Sequence, residues 1–134
     1  MMTKDGIHVN IIIMNKEPDL FTAFKHAFRG IKDFFITDCN GKLHLIAALL
    51  VIAAGVWLHI STTEWCLLLL CIAAVISIEM INAAIEKLCD LIHKDFHPSV
   101  KFIKDVSAGA VLVFSIISAV IGLIIFIPKI IILL

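Results

Sequence analysis

Long runs of apolar residues, separated by short polar segments, fill the chain from about residue 43 onward. Three runs cover about residues 43–60, 65–92 and 104–127. A helix rises 1.5 Å per residue, so about 17–25 apolar residues cross the roughly 30 Å hydrocarbon core of a bilayer. The pattern therefore predicts an all-α integral membrane protein with three transmembrane helices.

Residues 19–37 have a different pattern, with apolar side chains at helical spacing on one side and Lys25, Arg29 and Lys32 on another. A basic amphipathic helix of this kind is typical of a helix lying in the membrane surface. It also fits a helix packed on the rest of the protein. We expect residues 1–18 to be a short interfacial or poorly ordered N-terminal segment, and residues 19–134 to form one membrane domain.

The composition agrees with a membrane location. Hydrophobic residues make up 61% of the 134 residues, with a mean hydropathy of +1.08, above the roughly 45–50% of soluble domains. The formal net charge is zero, so charge gives no support to a nucleic-acid partner. The four cysteines form no C-x-x-C pair and are read as small hydrophobic side chains.

The distribution of lysine and arginine predicts the topology. Basic residues occur before the first span and between the second and third spans, but none occurs between the first and second. By the positive-inside rule, the N-terminus and the connection at about residues 93–104 are cytoplasmic.

Polar residues interrupt the second apolar run on one helical face. Glu79, Asn82, Glu86 and Asp90 fall at i, i+3, i+7 and i+11. Carboxylates within a bilayer are costly and usually face a protein interior or a watery cleft. Glu79 is therefore a candidate general base.

These carboxylates, together with Lys104 at the start of the third span, could bind magnesium and a phosphorylated solute. The sequence contains no phosphate-binding loop and no soluble protein-kinase signature.

The same intramembrane carboxylates would also suit a proton or cation pathway. A structural or accessory membrane protein is a third alternative. Because three helices enclose little space, we expect a homo-oligomer.

Three sequence blocks are similar to those of a known family. Residues 79–90 resemble the E-x-x-N-[ST]-A-I-E-x-x-x-D signature of the small bacterial membrane lipid kinases, the prokaryotic diacylglycerol kinase and undecaprenol kinase family. Residues 96–98 with 104–111 resemble its second block, and residues 38–45 its third.

The resemblance implies a homotrimer in the bacterial inner membrane that transfers the γ-phosphate of ATP, with Mg²⁺, to a lipid alcohol at the cytoplasmic interface. It implies Glu79 as general base, assisted by Asn82, and Mg²⁺ ligands Glu86 and Asp38. The ATP-binding residues it implies are His26, Glu86, Asp95, Phe96, His97, Lys104 and Asp105. The lipid-binding residues are Asn40, His44, Trp57, Glu79 and Ala108.

Two positions depart from the family pattern. Asp38 stands where glutamate is usual, so a water could lie between its shorter side chain and a metal. Ala83 replaces serine or threonine, a change that should be tolerated. His97-Pro98 and residues 105–111 look more like the undecaprenol kinase branch. We therefore favour undecaprenol as substrate and keep diacylglycerol as the alternative.

Overall fold

The computed structural model describes residues 19–93 and 95–133 and places them in four helices. These are α1 (Leu20–Thr37), α2 (Cys39–Trp57), α3 (Thr62–Ile92) and α4 (Pro98–Leu133). Three of them, α2, α3 and α4, are long and apolar enough to cross a membrane. The predicted all-α class with three spans and a preceding amphipathic helix is confirmed. The predicted N-terminal segment, residues 1–18, lies outside the described residues.

The chain divides into two compact units, residues 1–33 and 34–134, and each is described by itself. The described part of the first unit is the amphipathic portion of α1. The second unit holds α2, α3 and α4, with α3 packed extensively against α4 and less extensively against α2.

The break between α1 and α2 falls at Asp38, and Asn40 and Gly41 lie in the first turn of α2. Asp38 is the N-cap, and its Oδ1 accepts a hydrogen bond of 2.7 Å from the amide of Gly41. Such a bond satisfies one of the free amides at a helix start. A Cβ at Gly41 would come within 2.6 Å of Cζ of Phe34. Gly41 is therefore needed for close packing at this corner.

The opposite end of the second unit is held by an apolar cluster and a salt bridge. Ile60, Leu68 and Ile125 form the buried cluster. Ser61 and Glu64 form a capping box at the start of α3. Lys129 Nζ of α4 lies 3.0 Å from the Glu64 carboxylate. These contacts fix the antiparallel register of α3 and α4.

Most of the apolar surface of the three long helices is not covered within the chain. The buried share of the most apolar window is 17% in α2, 28% in α3 and 11% in α4. A chain in water rarely exposes apolar patches of this extent. Lipid or other protein surfaces must therefore cover these helices.

Candidate active site

A cavity of about 270 Å³ lies where α2, α3 and α4 face one another. Its lining combines carboxylate, amide, imidazole and hydroxyl groups with a few apolar side chains. The lining residues are Asn40, Leu43, His44, Glu79, Asn82, Glu86, Ala108, Val111, Leu112 and Ser115.

Helix geometry explains this convergence. On α3, Glu79, Asn82 and Glu86 share one face at i, i+3 and i+7. On α4, the lining positions from Ala108 to Ser115 fall at i, i+3, i+4 and i+7. The antiparallel register places these two faces opposite each other. Six predicted site residues therefore meet in one cavity: Asn40, His44, Glu79, Asn82, Glu86 and Ala108.

Glu79 is the most buried of the large side chains in the described part of the chain, with 2% of its surface exposed. No hydrogen bond or ion pair joins its carboxylate to another described residue. Its oxygens are not among the buried atoms that lack a partner, so the carboxylate reaches the cavity, and it forms no pair that would stabilise the fold. A carboxylate without a partner, facing a cavity, is available to accept a proton from a bound molecule.

Asn82 lies one helical turn after Glu79 on α3 and is 4% exposed. Its Nδ2 lies 3.2 Å from Oε1 of Glu86 on the same helix. Its Oδ1 lies 2.6 Å from Oγ of Ser107 on α4. The amide therefore links the partly buried Glu86 carboxylate to the neighbouring helix.

At the end of the polar face, Lys104 of α4 reaches back to α3. Its Nζ lies 2.5 Å from Oδ1 of Asp90. The Lys104 side chain is 34% exposed and the Asp90 side chain 67% exposed, and exposed pairs of this kind contribute little to stability. Phosphate oxygens could replace the Asp90 carboxylate at Lys104 without a large penalty.

The described carboxylates do not form a complete metal site by themselves. Within residues 19–93 and 95–133, no group of three or more histidine, cysteine, aspartate or glutamate side chains could do so. Magnesium, however, usually uses one or two carboxylates together with substrate phosphates and water. Glu86 fits that mode, since only its Oε1 is engaged by Asn82. Asp38 does not line the cavity, and its Oδ1 caps α2.

Several predicted site residues are not brought to the cavity. Trp57 is the last residue of α2, about 26 Å from Asn40 at 1.5 Å per residue, and it is 72% exposed. Asp95, Phe96 and His97 lie exposed in the connection between α3 and α4. Asp105 forms an exposed salt bridge with Lys101. His26 belongs to the first unit, which is described by itself.

Sequence reasoning gave no role in the site to the serines at positions 107 and 115 of α4. The signal for Ser115 was present, since it continues the helical face of Ala108. Its Oγ is buried and, within the described part of the chain, has no hydrogen-bond partner. Ser107 had no such signal, because its contact with Asn82 depends on how α4 packs against α3.

A second cavity of about 320 Å³ adjoins the first and shares His44 and Ser115 with it. Its other lining residues on α2, α3 and α4 are mainly aliphatic and small. Polar and apolar cavities therefore meet at one boundary, where a molecule with a polar end and a hydrocarbon chain could be bound.

Comparison with known proteins supports the sequence resemblance. Residues 25–126 match the family described as prokaryotic diacylglycerol kinase. The undecaprenol kinase of Bacillus subtilis is 44% identical over 109 residues, covering 81% of this chain and 89% of that protein. The diacylglycerol kinase of Synechocystis is 32% identical over 106 residues, covering 78% and 61%. The diacylglycerol kinase of Escherichia coli is 25% identical over 101 residues, covering 75% and 83%.

Proposed function

Because this chain belongs to the prokaryotic diacylglycerol kinase family of membrane lipid kinases, we propose that it phosphorylates undecaprenol with ATP. The relative named undecaprenol kinase is 44% identical, against 32% and 25% for two relatives named diacylglycerol kinase. Diacylglycerol is the alternative substrate of the same reaction. The observation that carries the proposed chemistry is the buried, unpaired Glu79 in a cavity that it shares with Glu86.

In the proposed reaction, Glu79 accepts the proton of the lipid hydroxyl while the hydroxyl oxygen attacks the γ-phosphorus. The bond from the γ-phosphorus to the bridging oxygen breaks, and ADP leaves. Phosphoryl transfer depends mainly on positioning and on neutralising charge. A magnesium ion bound with the phosphates at Glu86 would supply part of that neutralisation. Lys104 would supply a further positive charge once it leaves Asp90.

Nucleotide contacts are proposed for residues at the same end of the long helices. Asp95, Phe96 and His97 follow α3, and Asp105 follows Lys104 on α4. Their exposure makes them accessible to a soluble nucleotide. The roles of His26 in nucleotide binding and of Asp38 in metal binding rest on the family resemblance alone. The lipid-binding role of Trp57 has the same basis.

We place the lipid hydroxyl in the polar cavity, near Asn40, His44 and Ala108, and the adjoining hydrocarbon in the apolar cavity. The two cavities share His44 and Ser115, so a lipid whose hydrocarbon lies in the apolar cavity can present its hydroxyl in the polar cavity. Ala119 lines the apolar cavity, whereas Ala110 of the same helix lines neither.

This placement is tested by filling the apolar cavity. Ala119→Phe should raise the KM for the lipid by about tenfold, on the scale of overpacking costs of about 1–3 kcal/mol. It should leave the KM for ATP unchanged, and Ala110→Phe is the size-matched control. Equal effects of the two variants on the lipid KM would contradict the placement.

For the assembly, we propose a homotrimer in the bacterial inner membrane with a cytoplasmic N-terminus. Much apolar surface stays uncovered within one chain, and oligomerisation would cover part of it. Apart from Lys129, the lysines and arginines lie on one side of the three spans, which supports this orientation.

The central experiment compares undecaprenol with diacylglycerol in mixed micelles containing ATP and magnesium. Undecaprenol should give the higher kcat/KM, and the activity should require Glu79. A cation pathway would instead produce ion flux in liposomes without ATP. Flux without any lipid-dependent ATP consumption would overturn the kinase proposal.

A further inference from the structure

Two hydrogen bonds connect α4, an amide and a carboxylate in the candidate active site. Ser107 Oγ lies 2.6 Å from Oδ1 of Asn82, and Asn82 Nδ2 lies 3.2 Å from Oε1 of Glu86. We propose that Ser107 is a positioning residue that fixes the Asn82 amide and, through it, the carboxylate of Glu86. This inference rests on the proposed function, in which Glu86 binds the metal.

The charge of Glu86 decides how the Asn82 amide is oriented. An ionised carboxylate only accepts hydrogen bonds, so the amide must turn its NH₂ group toward Glu86. The amide oxygen then faces Ser107, and it too can only accept. At 2.6 Å, two oxygens without a proton between them would repel each other. The Ser107 hydroxyl must therefore donate to Asn82.

Ser107 has only one proton to donate, and a second acceptor lies near it. Its Oγ is 3.0 Å from the carbonyl oxygen of Lys104, one turn earlier on α4. The contact with Asn82 is the shorter, so the proton is directed mainly to Asn82, and the Lys104 carbonyl oxygen is the weaker, competing acceptor. Ser107 of α4 therefore orients an amide of α3.

This orientation acts on Glu86. Asn82 occupies Oε1 of Glu86, and Oε2 accepts no hydrogen bond from any described residue. One oxygen is therefore held while the other is available to a cation. Without the hydroxyl of Ser107, the amide could rotate and present its oxygen to Glu86, where like partial charges would push the carboxylate away.

The test measures metal binding directly. Mn²⁺ with a non-hydrolysable ATP analogue is titrated into the detergent-solubilised protein and followed by electron paramagnetic resonance. Ser107→Ala should weaken Mn²⁺ binding by about tenfold, the lower end of the effect of losing a partner of a metal ligand. Ser77→Ala, an exposed serine of α3, should bind Mn²⁺ like the wild type.

Three further measurements separate positioning from a purely structural role. Ser107→Thr keeps a hydroxyl and should bind Mn²⁺ like the wild type. Ser107→Val has the shape of threonine without the hydroxyl and should bind Mn²⁺ as weakly as Ser107→Ala. In an Asn82→Ala background, Ser107→Ala should have no further effect, because the serine acts through the amide. The KM for the lipid should stay unchanged in Ser107→Ala, while the magnesium concentration for half-maximal rate rises.

The outcomes distinguish this inference from the proposed function. An active wild type with unchanged Mn²⁺ binding in both Ser107→Ala and Ser107→Val overturns the role of Ser107 and leaves the kinase intact. Independent, additive effects of Ser107→Ala and Asn82→Ala overturn it as well. A wild type that consumes no ATP with either lipid overturns the proposed function itself.

Discussion

Replacing Glu79 by glutamine should separate activity from stability. Glutamine keeps the shape of the side chain but accepts no proton at neutral pH. Loss of a positioned general base costs about 10²–10⁴ in rate, or about 2.7–5.4 kcal/mol at 1.36 kcal/mol per tenfold. We expect kcat to fall by that factor, with the KM for ATP nearly unchanged.

The same substitution should not lower the stability of the protein. Glu79 is 2% exposed and has no partner among the described residues. Its carboxylate oxygens are not among the buried atoms that lack a partner, because they reach the cavity that Glu79 lines. Glu79→Gln therefore removes no hydrogen bond or ion pair, and its Tm in detergent should stay at or above the wild-type value.

Glu64 provides the matched control, since it is a glutamate of the same helix with a structural environment. It accepts a hydrogen bond from the Ser61 amide and pairs with Lys129. Glu64→Gln should lower the Tm only slightly, because a salt bridge open to solvent contributes little to stability, and it should leave kcat unaltered. The reasoning fails if Glu79→Gln keeps more than about a tenth of wild-type kcat, or if its Tm falls together with its activity.

Two further substitutions test nucleotide binding and packing. Lys104→Met should raise the KM for ATP by about 10–100-fold, because it removes a charged hydrogen bond to phosphate. Lys87→Met on the exposed surface of α3 should change the KM for ATP less than about twofold. Equal effects of the two variants in ATP titrations would contradict a phosphate role. Gly41→Ala should lower the free energy of unfolding by about 1–3 kcal/mol, because its Cβ would lie 2.6 Å from a ring atom of Phe34. The loss would be measured as a lower Tm in detergent. Gly109→Ala meets nothing within 4 Å and should instead stabilise α4 by about 0.5–1 kcal/mol; a Gly41→Ala protein as stable as Gly109→Ala would disprove the packing argument.

The sequence by itself determined the membrane class, the three spans and the polar face of α3. The length and mean hydropathy of a span are properties of a single helix, and any helix of that length and composition suits a bilayer. The spacing of Glu79, Asn82 and Glu86 likewise needs only the pitch of one helix. The sequence motifs also predicted the family, which the match over residues 25–126 confirms.

Only the tertiary structure decided which groups meet across helices. The contact of Ser107 with Asn82 depends on the register of α4 against α3, which the apolar cluster and the Glu64–Lys129 pair hold at the far end. The N-cap role of Asp38 also appeared only with the fold. Contacts between residues far apart in sequence depend on packing, which no single helix pattern contains.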